Sequence, residues 1–194
     1  MLMSRPQSGC PGTGGESGMT LIELIIAVAI AGILLGVGVN SYGPWVANSR
    51  VRSSADSIQG GLMLAKTEAI RLNRRVQFVL TDTDPIVANV NSIVAATAGR
   101  NWVVRLFQSG GTYTAADFVQ GRSRNEAACT VVNANADNLI FSGLGLLNPV
   151  PANVVNINVS CAGSNRPLRV TIGQGGALRL CDPALLIANS PLGC

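Results

Sequence analysis

The chain has 194 residues, of which 12% are charged, and its fourteen Lys or Arg residues outnumber ten Asp or Glu residues to give a net charge of +4. It contains no histidine, which excludes Ser-His-Asp and Cys-His catalysis and the HExxH metal motif. The cysteines form no CxxC pair, so a zinc site is not expected, and the aspartates lack the spacing of a calcium loop. We therefore expect a non-catalytic protein without metal or cofactor.

The first element along the chain is an apolar run at residues 21–39 that contains one charge, Glu23. As a helix this run would be about 28 Å long at 1.5 Å per residue, close to the roughly 30 Å hydrocarbon core of a bilayer. A carboxylate in that environment costs on the order of 2.5–3.5 kcal/mol. Glu23 is therefore predicted to have a function that offsets this cost.

The residues before this run do not have the order of a secretory signal. Residues 1–18 are polar and rich in Gly, Ser and Pro, whereas a secretory signal places its apolar region ahead of the cleavage site. The junction Gly18-Met19-Thr20, followed by Glu23, instead resembles the processing and methylation motif shared by type IV prepilins and the pseudopilins of type II secretion. Most members carry Phe where this chain has Met19, which is also large and apolar.

This resemblance implies that a prepilin peptidase cuts after Gly18 and methylates the new amino terminus at Met19. It also implies that Glu23 meets the charged terminus of a neighbouring pilin or pseudopilin during filament assembly. The expected organisation is a leader at 1–18 and a transmembrane and assembly helix at 19–43, which crosses the inner membrane once. A periplasmic C-terminal head follows, and the protein later enters a pilus or pseudopilus filament.

A second helical segment, amphipathic, is predicted at 44–75, and Pro44 is expected to kink or break the helix near Gly43-Pro44. Apolar residues recur in this segment at alternating steps of four and three, a spacing that draws one stripe along a helix. Basic residues at its end suit a helix C-terminus. The stripe consists of Val51, Ala55, Ile58, Leu62, Ala65, Ala69 and Leu72.

The rest of the chain, 76–194, is predicted to be a β-rich head. Its clearest signal is the alternation of apolar and polar residues at 155–161, which is typical of a half-buried strand. Two further runs separated by Gly173 to Gly176 indicate a hairpin with a glycine-rich turn. Predicted strands lie at 76–80, 102–107, 155–161, 168–172 and 177–181, predicted loops at 82–85, 109–112 and 133–138, and an irregular tail at 182–194.

Four cysteines follow the leader, an even number that in an exported chain indicates two disulfides, although buried free thiols are an alternative. Four cysteines allow three pairings. Cys161 and Cys181 each end a predicted strand, which favours a Cys161–Cys181 link and leaves Cys129 with Cys194.

Three parts of the chain resemble the GspH/FimT group of minor pilins and pseudopilins. They are the helix end at 64–76, the strand containing Trp102, and the Gly-x-x-Arg-x-Cys element at 176–181. The resemblance implies an α+β fold in which the second half of a long N-terminal helix packs on an antiparallel sheet. Members of the group lie at or near filament tips, prime assembly and in some cases contribute to DNA uptake.

Three functions are compatible with these features: a minor pilin of a type IV pilus, a minor pseudopilin of a type II secretion system, and a nucleic-acid-binding tip pilin. The first two share the fold and the N-terminal motif. The long strand-rich head and the paired cysteines favour the pilus, because they suit an exposed filament component.

DNA binding is the third hypothesis. Members that take part in transformation carry a Gly-Arg-x-Arg element in the last strand, and here only its second arginine, Arg179, is present. Strand alternation places Arg179 and Arg169 on one outer face, with Arg166 just before it. Three arginines would suit phosphate contacts that read charge and no sequence. The alternative is a solvated basic face on a cationic protein.

Overall fold

The computed structural model describes residues 18–123 and 129–194, with backbone alone for Leu35 and residues 37–41. Apart from Gly18, the predicted leader therefore lies outside the described residues. The chain divides into two compact units, Met1–Ser41 and Tyr42–Cys194, and each is considered by itself. The first contributes the start of the N-terminal helix, and the second contains the rest of that helix together with the predicted β-rich head.

The N-terminal helix, α1, is assigned to Leu21–Leu72 and contains Pro44. The predicted kink or break does not take the form of a break in secondary structure, because the helical assignment continues through Pro44, and the kink stays a prediction. The division of the helical region at residue 43 stays a prediction.

A residue in the left-handed backbone conformation follows the end of α1, which lies at Leu72, three positions before the predicted end at residue 75. Asn73 has a φ of +48°, and asparagine tolerates this conformation better than most residues. The backbone N–H of Arg74 donates to the carbonyl of Ala69, and that of Asn73 donates to the carbonyl of Ile70. These two bonds form a Schellman cap that satisfies carbonyls at the helix end. The chain then enters its first strand at Val76.

The predicted stripe of α1 is buried, as the periodicity indicates. Its first six members are at most 1% exposed, and Leu72, at the helix end, is half-buried. The fully buried members are Val51, Ala55, Ile58, Leu62, Ala65 and Ala69.

Eight strands in the described residues form two antiparallel sheets of four. The first sheet has the order β3-β2-β1-β5 and the second has the order β4-β6-β7-β8. The predicted strands at 155–161 and 168–172 are confirmed, as is the β7–β8 hairpin. The strands are β1 Val76–Thr81, β2 Asn101–Leu106, β3 Phe118–Arg122, β4 Thr130–Ala134, β5 Asn138–Phe141, β6 Val155–Cys161, β7 Leu168–Ile172 and β8 Leu178–Cys181.

Three strands were not predicted. The first, β3, contains Gly121 and has no fully buried residue, so it lacks the alternation that identifies a strand. The predicted loop at 133–138 is wrong at both ends, because β4 includes its first two residues and β5 begins at its last. The two ends of the predicted loop are Asn133 and Asn138, and asparagine is depleted in strands and favoured in turns.

One hydrophobic core joins the helix stripe to the inner faces of both sheets. Phe78 on β1 stacks on Trp102 of β2 with ring centroids 5.9 Å apart, and the Trp102 indole N–H donates to the Ser57 hydroxyl at 3.0 Å. A Cβ at Gly61 would lie 2.9 Å from both rings. Glycine at this position therefore lets the helix approach the aromatic pair closely.

The opposite face of the first sheet is closed by a buried polar network around Arg105 on β2. Its guanidinium donates to Gln77 Oε1 at 3.0 Å and to the carbonyl of Val90 at 2.5 Å, and it stacks over the Tyr113 ring at 3.6 Å. Burial lowers the pKa of Arg105, while Tyr113 and Asp117 oppose that shift electrostatically. These contacts attach the segments containing Val90 and Tyr113 to the sheet. Nothing in the sequence pattern distinguished Arg105 from a surface arginine.

The predicted disulfide pairing is wrong: the bonds are Cys129–Cys161 and Cys181–Cys194. The order of the second sheet explains why. Because β7 lies between β6 and β8, Cys161 and Cys181 are two strand spacings apart, roughly 10 Å, beyond the reach of a disulfide. Cys161 instead pairs in register with Thr130, which brings Cys129 to a Cα distance of 4.8 Å.

Peptide mapping of the unreduced protein tests this pairing. We expect peptides that join Cys129 to Cys161 and Cys181 to Cys194. Paired Cys→Ser variants should lower the free energy of unfolding by about 3.5 kcal/mol for the first bond and about 3 kcal/mol for the second, because the first closes the longer loop. A peptide joining Cys161 to Cys181 would contradict the sheet order.

Candidate processing and assembly site

The predicted processing junction lies just ahead of α1. Gly18, Met19 and Thr20 have no regular secondary structure and are exposed, with 68% of Met19 accessible. Beyond the two neighbouring residues of the chain, no described atom lies within 4 Å of the position that a Cβ on Gly18 would take. A peptidase can therefore reach this backbone, and a small side chain at Gly18 would meet no obstacle within the chain.

Thr20 caps the helix that begins at Leu21. Its hydroxyl accepts a hydrogen bond from the backbone N–H of Glu23 at 3.3 Å, and its carbonyl accepts one from the N–H of Leu24 at 3.2 Å. Thr-x-x-Glu is the sequence of a capping box, and a carboxylate in the first turn is favourable beside the positive end of the helix dipole. This local role of Glu23 was not predicted, although the spacing of Thr20 and Glu23 indicates it.

Glu23 has no basic partner of its own in the described residues. The ion pairs of 18–123 and 129–194 join Arg52 to Asp56 and Arg71 to Glu68. Glu23 is exposed, so its carboxylate is accessible to a cation supplied by another molecule.

The helix start exposes apolar side chains around its whole circumference. A helix that is apolar on all sides is normally buried in a protein core or in a membrane. Among the described residues, no helix meets the combined requirement of length and apolarity for crossing a membrane. Side chains that are 54–78% exposed here are Met19, Leu21, Ile22, Leu24, Ile25, Ile26, Val28, Ile30, Ile33 and Leu34.

Two of the three predicted DNA-binding arginines, Arg169 and Arg179, share a face of the second sheet. Arg169 pairs across β7 and β8 with Cys181, and Arg179 pairs with Thr171, so both arginines lie on the outer face of the second sheet. However, each has an internal partner. Arg169 Nε donates to Asn158 Oδ1 at 2.6 Å, and Arg179 Nη2 donates to two backbone carbonyls of the C-terminal tail. Arg166 is exposed in the connection between β6 and β7.

Arg179 therefore has a structural role that the sequence did not indicate. Its guanidinium lies 2.9 Å from the Pro191 carbonyl oxygen and 2.8 Å from that of Gly193. The same segment is linked to the end of β8 by Cys181–Cys194 and by the hydrogen bond from Asp182 N–H to the Leu192 carbonyl. The predicted irregular tail is thus tied back onto the second sheet. DNA binding by Arg166, Arg169 and Arg179 stays a prediction.

Within residues 18–123 and 129–194, no three His, Cys, Asp or Glu side chains converge as metal ligands. Asp117 is a buried carboxylate that accepts hydrogen bonds from the Thr114 backbone and hydroxyl and from Gln108. The Thr114 backbone bond is the largest cause that holds the pKa of Asp117 below its usual value. These bonds close a short 3-10 helix at Ala115–Asp117, so they account for the carboxylate structurally. The expectations of no cofactor and no catalysis stay predictions.

Comparison with known families gives two matches. The family described as type II transport protein GspH matches residues 54–176, more than half of the chain. The prokaryotic N-terminal methylation motif matches residues 14–39. No curated protein sequence matches at a significant level.

Solved structures that are similar to this chain include a minor pilin and a minor pseudopilin. The type IV minor pilin FimU of Pseudomonas aeruginosa is 17% identical with a TM-score of 0.52, over 71% of this chain and 92% of FimU. The minor pseudopilin EpsH of Vibrio cholerae is 15% identical with a TM-score of 0.47, over 70% of this chain and 98% of EpsH. At 17% identity the likeness to FimU shows a shared fold.

The role of Arg179 predicts the effect of an Arg179→Ala variant. A hydrogen bond to a charged group contributes about 1.5–3 kcal/mol. Because Arg179 is only half-buried, we expect the variant to lower the free energy of local opening of the tail by about 1 kcal/mol. Amide hydrogens at 182–194 should then exchange roughly fivefold faster. Hydrogen exchange measured by mass spectrometry checks this. Arg166→Ala is the matched control and should leave that exchange unchanged; equal protection in both variants would contradict the proposed tie.

Proposed function

Since the chain belongs to the GspH family and carries the N-terminal methylation motif, we propose that it is a minor subunit of a type IV pilus that a prepilin peptidase processes before assembly. The observation that carries the proposal is the junction itself. Gly18 and Met19 are exposed and have no regular structure immediately before a helix. A protease needs such a segment, because it must bind the backbone in an extended form.

The apolar residues 21–39 hold the subunit in the inner membrane before assembly, as a single pass with the head in the periplasm. Two features support this. First, the apolar side chains of residues 21–34 that the structure describes are exposed, and covering them with lipid would be favourable by about 25 cal/mol per Å². Second, the two disulfides of the head need an oxidising compartment such as the periplasm.

Glu23 acts in assembly by accepting the methylated amino terminus of a neighbouring subunit. The Thr20 cap and the helix N-terminus stabilise its charge locally, but neither supplies a full positive charge. A carboxylate that enters an apolar filament core without a cation would carry a large desolvation cost. An amine at the same depth on a neighbour offsets that cost, and the partners are therefore other pilins that carry the same N-terminal motif.

A pseudopilin of a type II secretion system is the second candidate, and the description of the matching family favours it. We choose the pilus because the head is strand-rich and has two disulfides, features that suit an exposed filament component. The two functions differ in where the mature protein accumulates. A minor pilin is recovered with filaments sheared from the cell surface, whereas a pseudopilin stays in the cell envelope, and its loss blocks secretion of exported proteins.

The processing step gives a direct test. Mass spectrometry of the mature protein should find Met19 at the amino terminus with one added methyl group. A Gly18→Ala variant should keep its leader and be absent from sheared filaments, because the peptidase acts on the backbone around the glycine. Since an alanine at this position meets no steric obstacle within the chain, the loss would report on the peptidase and not on folding.

A mature protein that begins at Met1, or at any residue upstream of Met19, would contradict the pilin function. Correct processing combined with absence from sheared filaments would favour the pseudopilin.

A further inference from the structure

Tyr42 and Trp45 stand apart from the other aromatic residues of this chain. They are 65% and 66% exposed, whereas the remaining six aromatic side chains, all within the described residues, are buried or half-buried. Their rings pack on each other with centroids 5.9 Å apart. The pair therefore forms a small ordered aromatic surface with no cover from its own unit.

The pair lies on the side of α1 that faces away from the core of the head. Tyr42 and Trp45 are three residues apart and so occupy one face of the helix. Ala47, which is buried in the core, and Val51, the first member of the buried stripe, are two and six residues beyond Trp45. At 100° per residue these spacings place the aromatic face roughly 120–160° from the stripe. The head cannot cover the pair without losing the contact that builds its core.

The order of residues along the helix indicates what does cover it. The apolar run ends at Val39, Tyr42 and Trp45 follow within six residues, and the exposed cations Arg50 and Arg52 come next. Tyr and Trp concentrate at the boundary between hydrocarbon and water, because each ring has an apolar body and one polar group. Arg side chains extend from that boundary towards lipid phosphates.

We propose that Tyr42 and Trp45 bind the headgroup region of the inner membrane and set the depth of the unassembled subunit. The inference rests on the proposed membrane-held precursor of the filament. The partner is a phospholipid surface: the Trp45 indole N–H and the Tyr42 hydroxyl meet ester and phosphate oxygens, and the rings cover the outer ends of the acyl chains. The phosphates also face Arg52, which lies seven residues beyond Trp45 on the same side of the helix, whereas the Arg50 guanidinium is directed to Cys129 Sγ at 3.9 Å. Arg52 lies 3.7 Å from Asp56 in an exposed pair that water and salt weaken.

Trp45 fluorescence tests the proposal on the full chain. The chain has two tryptophans, and Trp102 is 5% exposed in the core, so the difference between wild type and a Trp45→Phe variant isolates the emission of Trp45. The protein is reconstituted into vesicles of phosphatidylcholine and phosphatidylglycerol. Matched vesicles carry bromine atoms on the acyl chains, either near the headgroup or near the terminal methyl group.

We expect Trp45 emission to shift to shorter wavelength in vesicles and to lose intensity when the bromines lie near the headgroup, with a smaller loss for the deep bromines. Trp102 emission in the Trp45→Phe variant should not change with bromine position. Flotation of the vesicles on a density gradient separates this inference from the proposed function.

Failure to float would overturn both the membrane-held precursor and the aromatic contact. If the protein floats with the vesicles but Trp45 emission is quenched by iodide in solution and not by bromine in the lipid, the aromatic contact alone is overturned. If Trp45 emission is quenched neither by iodide nor by either brominated lipid, the aromatic pair contacts a second protein chain. This result would also overturn the proposed contact with lipid.

Discussion

The contact between the buried stripe of α1 and the two sheets is the interaction on which the head depends. Buried residues from both four-stranded sheets and from the helix stripe contribute to one hydrophobic core. Each fully buried Val, Leu or Ile of the stripe contributes about 1.5–3 kcal/mol. The close approach at Gly61 and the stacked Phe78 and Trp102 follow from the same contact, because a larger residue at this position would hold the helix away from β1.

This contact buries one side of the helix, and the other sides of the helix therefore stay available to other partners. The side opposite the stripe carries Tyr42 and Trp45, and the helix start exposes apolar residues on every side. A soluble domain would not keep such surfaces open to water. In the proposed filament subunit, lipid would cover these surfaces first and neighbouring helices would cover them later, so that one helix would serve both the stability of the head and its placement among other subunits.

The sequence predicted those elements whose physical cause is local and periodic. The stripe from Val51 to Ala69 could be predicted because apolar residues on one helix face repeat at three and four residues. The strands β6 and β7 could be predicted because apolar and polar residues alternate along them. Features that depend on strand order were not readable. The disulfide pairing required knowing that β7 separates Cys161 from Cys181. The strands β4 and β5 are short and contain asparagine, at Asn133 and Asn138. Arg105 and Arg179 have structural roles because of residues distant in sequence. Only the Thr20–Glu23 cap could have been found in the sequence and was missed.

The proposed role of Glu23, which is to join the subunit to its neighbours through its charge, can be tested by measuring how much mature protein co-purifies with filaments. Glu23→Ala is compared with Thr20→Ala, which removes the hydroxyl cap and keeps the carboxylate. We expect both variants to be cleaved and methylated, with the Glu23→Ala protein lost from the filament fraction and the Thr20→Ala protein retained. Recovery of Glu23→Ala at the wild-type level, or equal loss of both variants, would contradict a role for the Glu23 charge in assembly.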